Sequence, residues 1–170
     1  MNELLGTIEY IEITKETLSD YEDLILPAIY EELSAQEHMN EEYMCVAACT
    51  DGLPVAVGIM DFEDAGDLNL LSVRTDLRFR NMGVASSLLH KMIEVACNLY
   101  DWEENQFGDD VVLKTMYCLA QEYREPFEAW LRKNDFTDFA VLKAPEGDLP
   151  EVCAATAEIH FYRCEKENTR

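Results

Sequence analysis

The chain has 170 residues, 48% hydrophobic and 28% charged, which fits one globular domain over 1–170 and excludes a wholly disordered polymer. Thirteen Lys and Arg against 35 Asp and Glu leave a formal charge of −22, so nucleic acid and anionic membrane surfaces repel it and cationic molecules are attracted. No apolar run approaches the roughly 20 residues of a membrane span, and Met1 to Gly6 has neither a basic cluster nor a long apolar core, so the expectation is a cytoplasmic protein.

Residues 8–13 form a strand pattern rich in β-branched and aromatic side chains. Residues 14–39 read as helical, with Ser19 and Glu22 spaced as a capping box. Pro27 would break a helix interior, so two helices are expected, the second opening near it. Strands over 43–50 and 53–62 flank Asp51-Gly52, a pair suited to a tight hairpin turn with positive φ. After a turn at 63–67, a strand over 68–73 completes an antiparallel meander. From Gly83 to Tyr100, apolar residues recur at 84, 88, 92 and 96 and at 85, 89 and 93, the stripe of a helix facing a core.

An acidic loop over 101–110 leads to a strand beginning at Val111. Strand, helix and strand in that order predict a right-handed crossover with parallel strands. Residues 126–133 read as a short helix with Pro126 in its first turn. A strand over 136–143 and a loop over 144–155 follow. Residues 156–164 alternate Ala157, Ile159 and Phe161 against Glu158, His160 and Tyr162, and this strand should pair with 136–143. The expected class is α/β (α+β): a mixed, mostly antiparallel sheet with one parallel β-α-β crossover and helices on both faces. Cysteines at 45, 49, 97, 118, 153 and 164 form no C-x-x-C pair and no zinc spacing, so no metal is expected; Cys45 and Cys49 could share a strand face and read as small buried thiols, and the setting as reducing.

The chemically informative stretch follows Val73. Arg74, Arg78 and Arg80 place three of the thirteen cations within seven residues, and Gly83 then opens a helix. The first amides of a helix lack internal partners, and the helix dipole favours an anion there. Gly83 would let a phosphate approach the backbone, from the amides of Gly83 to Ser86, and Ala85 keeps the next turn small. Neither G-x-x-x-x-G-K-[ST] nor G-x-G-x-x-G is present, which sets aside the common triphosphatase and dinucleotide folds.

Arg80-Asn81-Met82-Gly83-Val84-Ala85 is similar to the [QR]-x-x-G-x-[GA] pyrophosphate loop of the GNAT superfamily of N-acetyltransferases. The predicted element order also resembles that family's over nearly the whole chain. The resemblance implies acetyl-CoA as cosubstrate, its diphosphate on the loop and its pantetheine along the strand ending at Val73. Backbone groups around Val73 and Thr75 would bind the pantetheine amides, and a strand amide would polarise the thioester carbonyl. Two departures stand out. The loop is about two residues longer than usual, so Arg78 or Arg80 can be the motif residue, with the spacing to Gly83 favouring Arg80. In the late helix Leu131 stands where many members have a tyrosine acid, Arg124 falls near an asparagine position and Asp135 replaces a glycine.

A primary amine, with a pKa of about 10.4, arrives protonated and needs a base. Glu63, Asp64 and Asp67 are candidates, Asp67 being closest to a glutamate of some family members; each also reads as a turn acid. Tyr117 and Tyr123 are candidates for the missing acid. The expected acceptor is a cationic amine, small molecule or peptide, entering past Glu31, Glu32, Glu37, Glu41 and Glu42. Two alternatives stand beside turnover: a CoA-binding module without it, which Leu131 favours, and an unrelated phosphate-binding domain. A homodimer is the default assembly.

Overall fold

A computed structural model describes residues 5–63, 67–100 and 110–161, apart from the side chain of Glu63. Its elements are β1 (Ile8–Glu12), α1 (Pro27–Ala35), α2 (Met39–Glu42), β2 (Tyr43–Thr50), β3 (Leu53–Glu63), β4 (Asp67–Thr75), α3 (Val84–Leu99), β5 (Asp110–Cys118), α4 (Gln121–Lys133), β6 (Asp138–Lys143) and β7 (Val152–His160). Residues 101–109 of the acidic loop, Asp64 and Tyr162 lie outside the described residues, and Asp110, expected in that loop, opens β5. No described helix is long and apolar enough to cross a membrane.

The seven strands make one sheet in the order β1-β2-β3-β4-β5-β7-β6. Every neighbouring pair is antiparallel except β4 and β5. The β2–β3 turn takes positive φ at both Asp51 (50°) and Gly52 (76°), as the hairpin reading requires.

Side chains alternate between two cores. Cys45, Ala47, Val57 and Ile59 face a cluster with Leu18, Ile25, Leu33 and Met39 from the early segments. Met44, Val46, Leu70 and Leu113 face a second cluster with Leu88, Leu89 and Met92 of α3 and Leu131 of α4. The two thiols at 45 and 49 share the first core, and burial pushes Cys45 up to about 12. At Gly58 the sheet and α3 meet so closely that a Cβ would stand 2.3 Å from Met92 Sδ.

Several expectations give way. Leu18–Leu24 is a 3₁₀ helix capped without a side chain, because Thr14 and Thr17 bond to each other in a preceding turn and Ser19 lies inside the helix. Pro27 does open α1, at its first turn. The late helix starts at Gln121 rather than Pro126, so the proline sits in its interior and forgoes one helical bond. Residues 121–125 are good helix formers apart from Tyr123, and they extend the helix in front of it. β7 begins at Val152, inside the expected loop, because Cys153 and Ala155 continue the inward alternation. It runs between β5 and β6 and pairs with both.

Asp135 takes a left-handed φ of 68°, the conformation a glycine adopts after a helix. The amides of Asp135 and Phe136 close the helix end on Arg132 O (3.3 Å) and Leu131 O (3.1 Å). Keeping an L residue there costs about 1–2 kcal/mol.

Candidate functional site

β4 is bonded to β3 over its whole length, from Asp67 opposite Glu63 to Thr75 opposite Ala56. The register slips at Ile59/Met60, leaving Leu71 as an extra residue on β4. Such a bulge bends the strand that carries it. On its other side β4 pairs with β5 only from Asp67 to Leu70. The Thr115 hydroxyl donates to Leu70 O at 3.0 Å at the last paired position. Beyond it the ladder ends, and a cleft of about 580 Å³ lies against the last residues of β4, with no β5 residue in its lining.

Three walls bound that cleft. Val73, Arg74 and Thr75 of β4 form one. The loop and helix start supply Arg80, Asn81, Gly83, Val84, Ala85 and Ser86. The third, which the sequence reading missed, is α4, through Pro126, Phe127, Ala129, Trp130 and Lys133. The signal for it is the 127, 130, 133 spacing, which puts Phe127, Trp130 and Lys133 on one helix face.

Asn81 and Gly83 both take left-handed backbone, at φ 62° and 78°. A Cβ at Gly83 would meet nothing within 4 Å, so glycine answers a conformational demand and leaves the helix start open. Gly83 O takes the amide of Ser87 at 3.0 Å, the first helical bond. The amides of Val84, Ala85 and Ser86 have no helical acceptor and face an anion-attracting dipole end.

The two arginines diverge. Arg80 lines the cleft, its Nε donating to Thr75 O at 3.3 Å, and it has no ion pair within 4 Å among the described residues. Arg78 lies outside the cleft. Its side chain is bidentate on Asp76, at 3.1 and 3.0 Å, and its amide donates to the same carboxylate at 2.9 Å. These bonds, side chain first, lower the Asp76 pKa. Arg78 lines only a neighbouring cavity of about 420 Å³ with Asp20, Tyr21 and Asp23, which Arg80 also borders, so of the two motif candidates only Arg80 reaches the cleft.

No protein-family model matches the sequence, and no curated protein matches it. Solved structures do share the architecture. A ribosomal-protein-alanine N-acetyltransferase from Escherichia coli superposes with a TM-score of 0.63 at 12% identity, covering 96% of this chain and 99% of that one. A GNAT family acetyltransferase from Elizabethkingia anophelis with acetyl-CoA bound gives 0.60 at 15% identity, over 89% and 98%. The PaiA N-acetyltransferase of Thermoplasma acidophilum in complex with coenzyme A gives 0.51 at 12%, over 88% and 98%. The chain has the GNAT fold.

Within this GNAT fold Asp67, Tyr117 and Tyr123 do not line the cleft. Asp67 stands at the closed end of the β4–β5 pair, roughly 13 Å along the strand from Leu71 at about 3.3 Å per residue. Its carboxylate is ion-paired with Lys114 Nζ at 2.8 Å. The Glu63 side chain lies outside the described residues. Tyr117 does not line the cleft: its hydroxyl donates to Glu128 Oε1 at 2.7 Å, and burial, with that bond, raises its pKa. A tyrosine so held is a poor proton donor. Tyr123 is 63% exposed and also absent from the cleft. Leu131 has no exposure at all; it points into the core while Trp130 and Lys133 face the cleft. His160 meets Asp110 across β5 and β7.

On the face covered by α1, one register row crosses six strands: Tyr43, Asp61, Asn69, Lys114, Thr156 and Asp138. The Tyr43 hydroxyl donates to Glu32 Oε1 at 2.7 Å; that bond first and burial second push its pKa up to about 12. Glu31, Glu37, Glu41 and Glu42 are exposed. The sequence cue for the row was the alternation Asp67, Asn69 against Leu68, Leu70.

Proposed function

We propose that this chain is an acetyl-CoA-dependent N-acetyltransferase acting on a cationic primary amine, a small molecule or a peptide. The observation that carries the reading is the β4–β5 ladder that stops at Leu70 and Thr115 and opens into a cleft ending on the free amides of residues 84–86. The donor set fits the ligand: those amides and Arg80 suit a diphosphate, and unpaired strand groups after Leu70 suit pantetheine amides.

In the proposed reaction the neutral amine nitrogen attacks the thioester carbonyl. The C–N bond forms, the carbonyl oxygen takes negative charge next to a β4 amide, and the C–S bond breaks on collapse. The nitrogen loses its proton to a base, direct or through water. Asp67 and Glu63 are the carboxylates the sequence offers for that role; Asp67 is ion-paired with Lys114 and away from the cleft walls, so the transfer to it would run through water. With Leu131 in the core and Tyr117 bound to Glu128, the thiolate, of pKa about 8.5, leaves without a tyrosine acid and is protonated by water.

The acceptor class rests on charge. A net −22 draws cations, and screening limits that pull to about 8 Å at physiological salt, so local acids must select. The test is thiol release from acetyl-CoA with cationic, neutral and anionic amines at two salt concentrations. A cationic preference that weakens with salt is expected; faster turnover of an anionic amine rejects the acceptor class. The lack of a free tyrosine hydroxyl among the cleft residues favours a second reading, a CoA-binding module without turnover. CoA binding with no thiol release for any amine would select it, and binding of ATP in place of CoA would reject both.

A further inference from the structure

Ser86 lines the cleft in the first turn of α3, and α4 grips its oxygen from two sides. Trp130 Nε1 donates to Ser86 Oγ at 3.1 Å, and Asn134 Nδ2 donates to the same atom at 3.1 Å. A hydroxyl oxygen has two lone pairs and one hydrogen. With both lone pairs taken, Ser86 can only donate, and no acceptor for that hydrogen stands within reach among the described residues. Two N–H donors on one oxygen also polarise its O–H bond, which strengthens it as a donor.

Neither partner is free to turn away. Trp130 stacks on Phe127, with centroids 5.9 Å apart and planes 20° from parallel, and Phe127 meets Tyr117 edge-on at 5.1 Å. Asn134 is 9% exposed, and its Nδ2 also donates to Trp130 O at 2.9 Å. We propose that Trp130 and Asn134 are positioning residues for the cosubstrate, acting through Ser86: they leave its hydroxyl hydrogen as a neutral donor to the diphosphate, beside the helix-start amides. The inference rests on reading the cleft as the acetyl-CoA site. It gives α4, forty-odd residues away in sequence, a role in seating the anion, and it does so without a cation in a chain that has few.

The probes are CoA and pantetheine, which lacks the diphosphate, with binding measured by calorimetry. Ser86→Ala should weaken CoA about tenfold, the loss of one hydrogen bond to a charged group, and leave pantetheine unchanged within about twofold. Ser86→Thr keeps the hydroxyl and should stay within about threefold of the parent for CoA. Trp130→Phe keeps a ring on Phe127 and removes only the N–H; it should cost CoA about threefold, and nothing further when added to Ser86→Ala. An equal loss for pantetheine, or a Trp130→Phe loss that persists in the Ser86→Ala background, overturns the positioning role. So does full CoA affinity in Ser86→Ala, a variant that leaves the α4 stack intact. A parent protein that binds no CoA overturns the reading of the cleft and the inference with it.

Discussion

The two sides of β4 were treated differently. Toward β3 the strand is bonded from end to end, and the slip at Leu71 is absorbed without losing the partner. Toward β5 pairing ends after four positions. One strand therefore serves as core on one side and as a cleft wall on the other. The backbone groups left without a strand partner are the resource, because an amide or carbonyl facing a cleft must find water or a ligand. A site arises here where sheet pairing stops, and the sheet stays intact because β3 holds the same strand from behind.

That contrast predicts loss of ligand without loss of fold on the cleft side, and the reverse on the β3 side. The largest effect is expected from Gly83→Glu, which puts a carboxylate at the open helix start. CoA binding should fall about a hundredfold or more by calorimetry, with about 1–2 kcal/mol of stability lost to the left-handed φ of 78°. Gly83→Ala should share the stability cost and keep most of the affinity, since a Cβ there meets nothing within 4 Å. An alanine variant as defective in binding as the glutamate would mean that the backbone shape, and not the anion seat, had been damaged.

On the β3 side, Gly58→Ala drives a Cβ into Met92, whose side chain has no exposure. Overpacking of this kind should cost about 1–3 kcal/mol in urea unfolding, with CoA affinity little changed in the protein that remains folded. A tenfold fall in affinity would show that α3 transmits strain from the core to the cleft, and the two sides of β4 would no longer be separable.

Arg80→Ala should weaken CoA about tenfold, and more at low salt, whereas Arg78→Ala should stay within about threefold because Asp76 already holds that guanidinium. The opposite ranking would move the anion seat to the cavity beneath Asp20 and Asp23.

A smaller effect concerns the pin between β5 and α4 across the opening. Glu128 accepts from Tyr117 and from Arg124 Nε at 2.9 Å, and these bonds, Tyr117 first, hold its pKa below the ordinary carboxylate value. A depressed carboxylate pKa adds stability that is present above the unfolded value and lost as pH falls through the folded one. Glu128→Gln should therefore cost about 1 kcal/mol near neutrality and flatten the acid limb of the stability curve. An unchanged acid limb would remove Glu128 as its source. Least of all is expected from Lys114→Met at the closed end. Its pair with Asp67 is partly exposed, 41% and 33%, and is worth under about 1 kcal/mol by thermal denaturation.

Some features were written in contiguous residues. Asp51-Gly52 between two apolar runs specifies its own turn, since only those backbone angles close so short a hairpin. The stripe at 84, 88, 92 and 96 specifies α3 and its inward face, and all four are buried. Arg80 to Ala85 specifies an anion-ready helix start, because the orphan amides and the left-handed glycine are properties of one turn of chain.

Other features depend on segments far apart in the chain. That Leu71 bulges and β4 leaves β5 at Leu70 follows from how three strands settle their registers together. Leu131 occupies the expected tyrosine position, yet it faces the core because α4 docks by burying one face, and the residue before it, Trp130, is turned to the cleft. The Ser86–Trp130–Asn134 contact joins residues 44 and 48 positions apart, and no local pattern encodes it. By itself the sequence determined the elements and the open helix start after Gly83, through local propensity and short-range hydrogen bonds. Only the tertiary structure decided where the sheet opens and which side of α4 closes the cleft, because burial and strand pairing are settled by the whole chain at once.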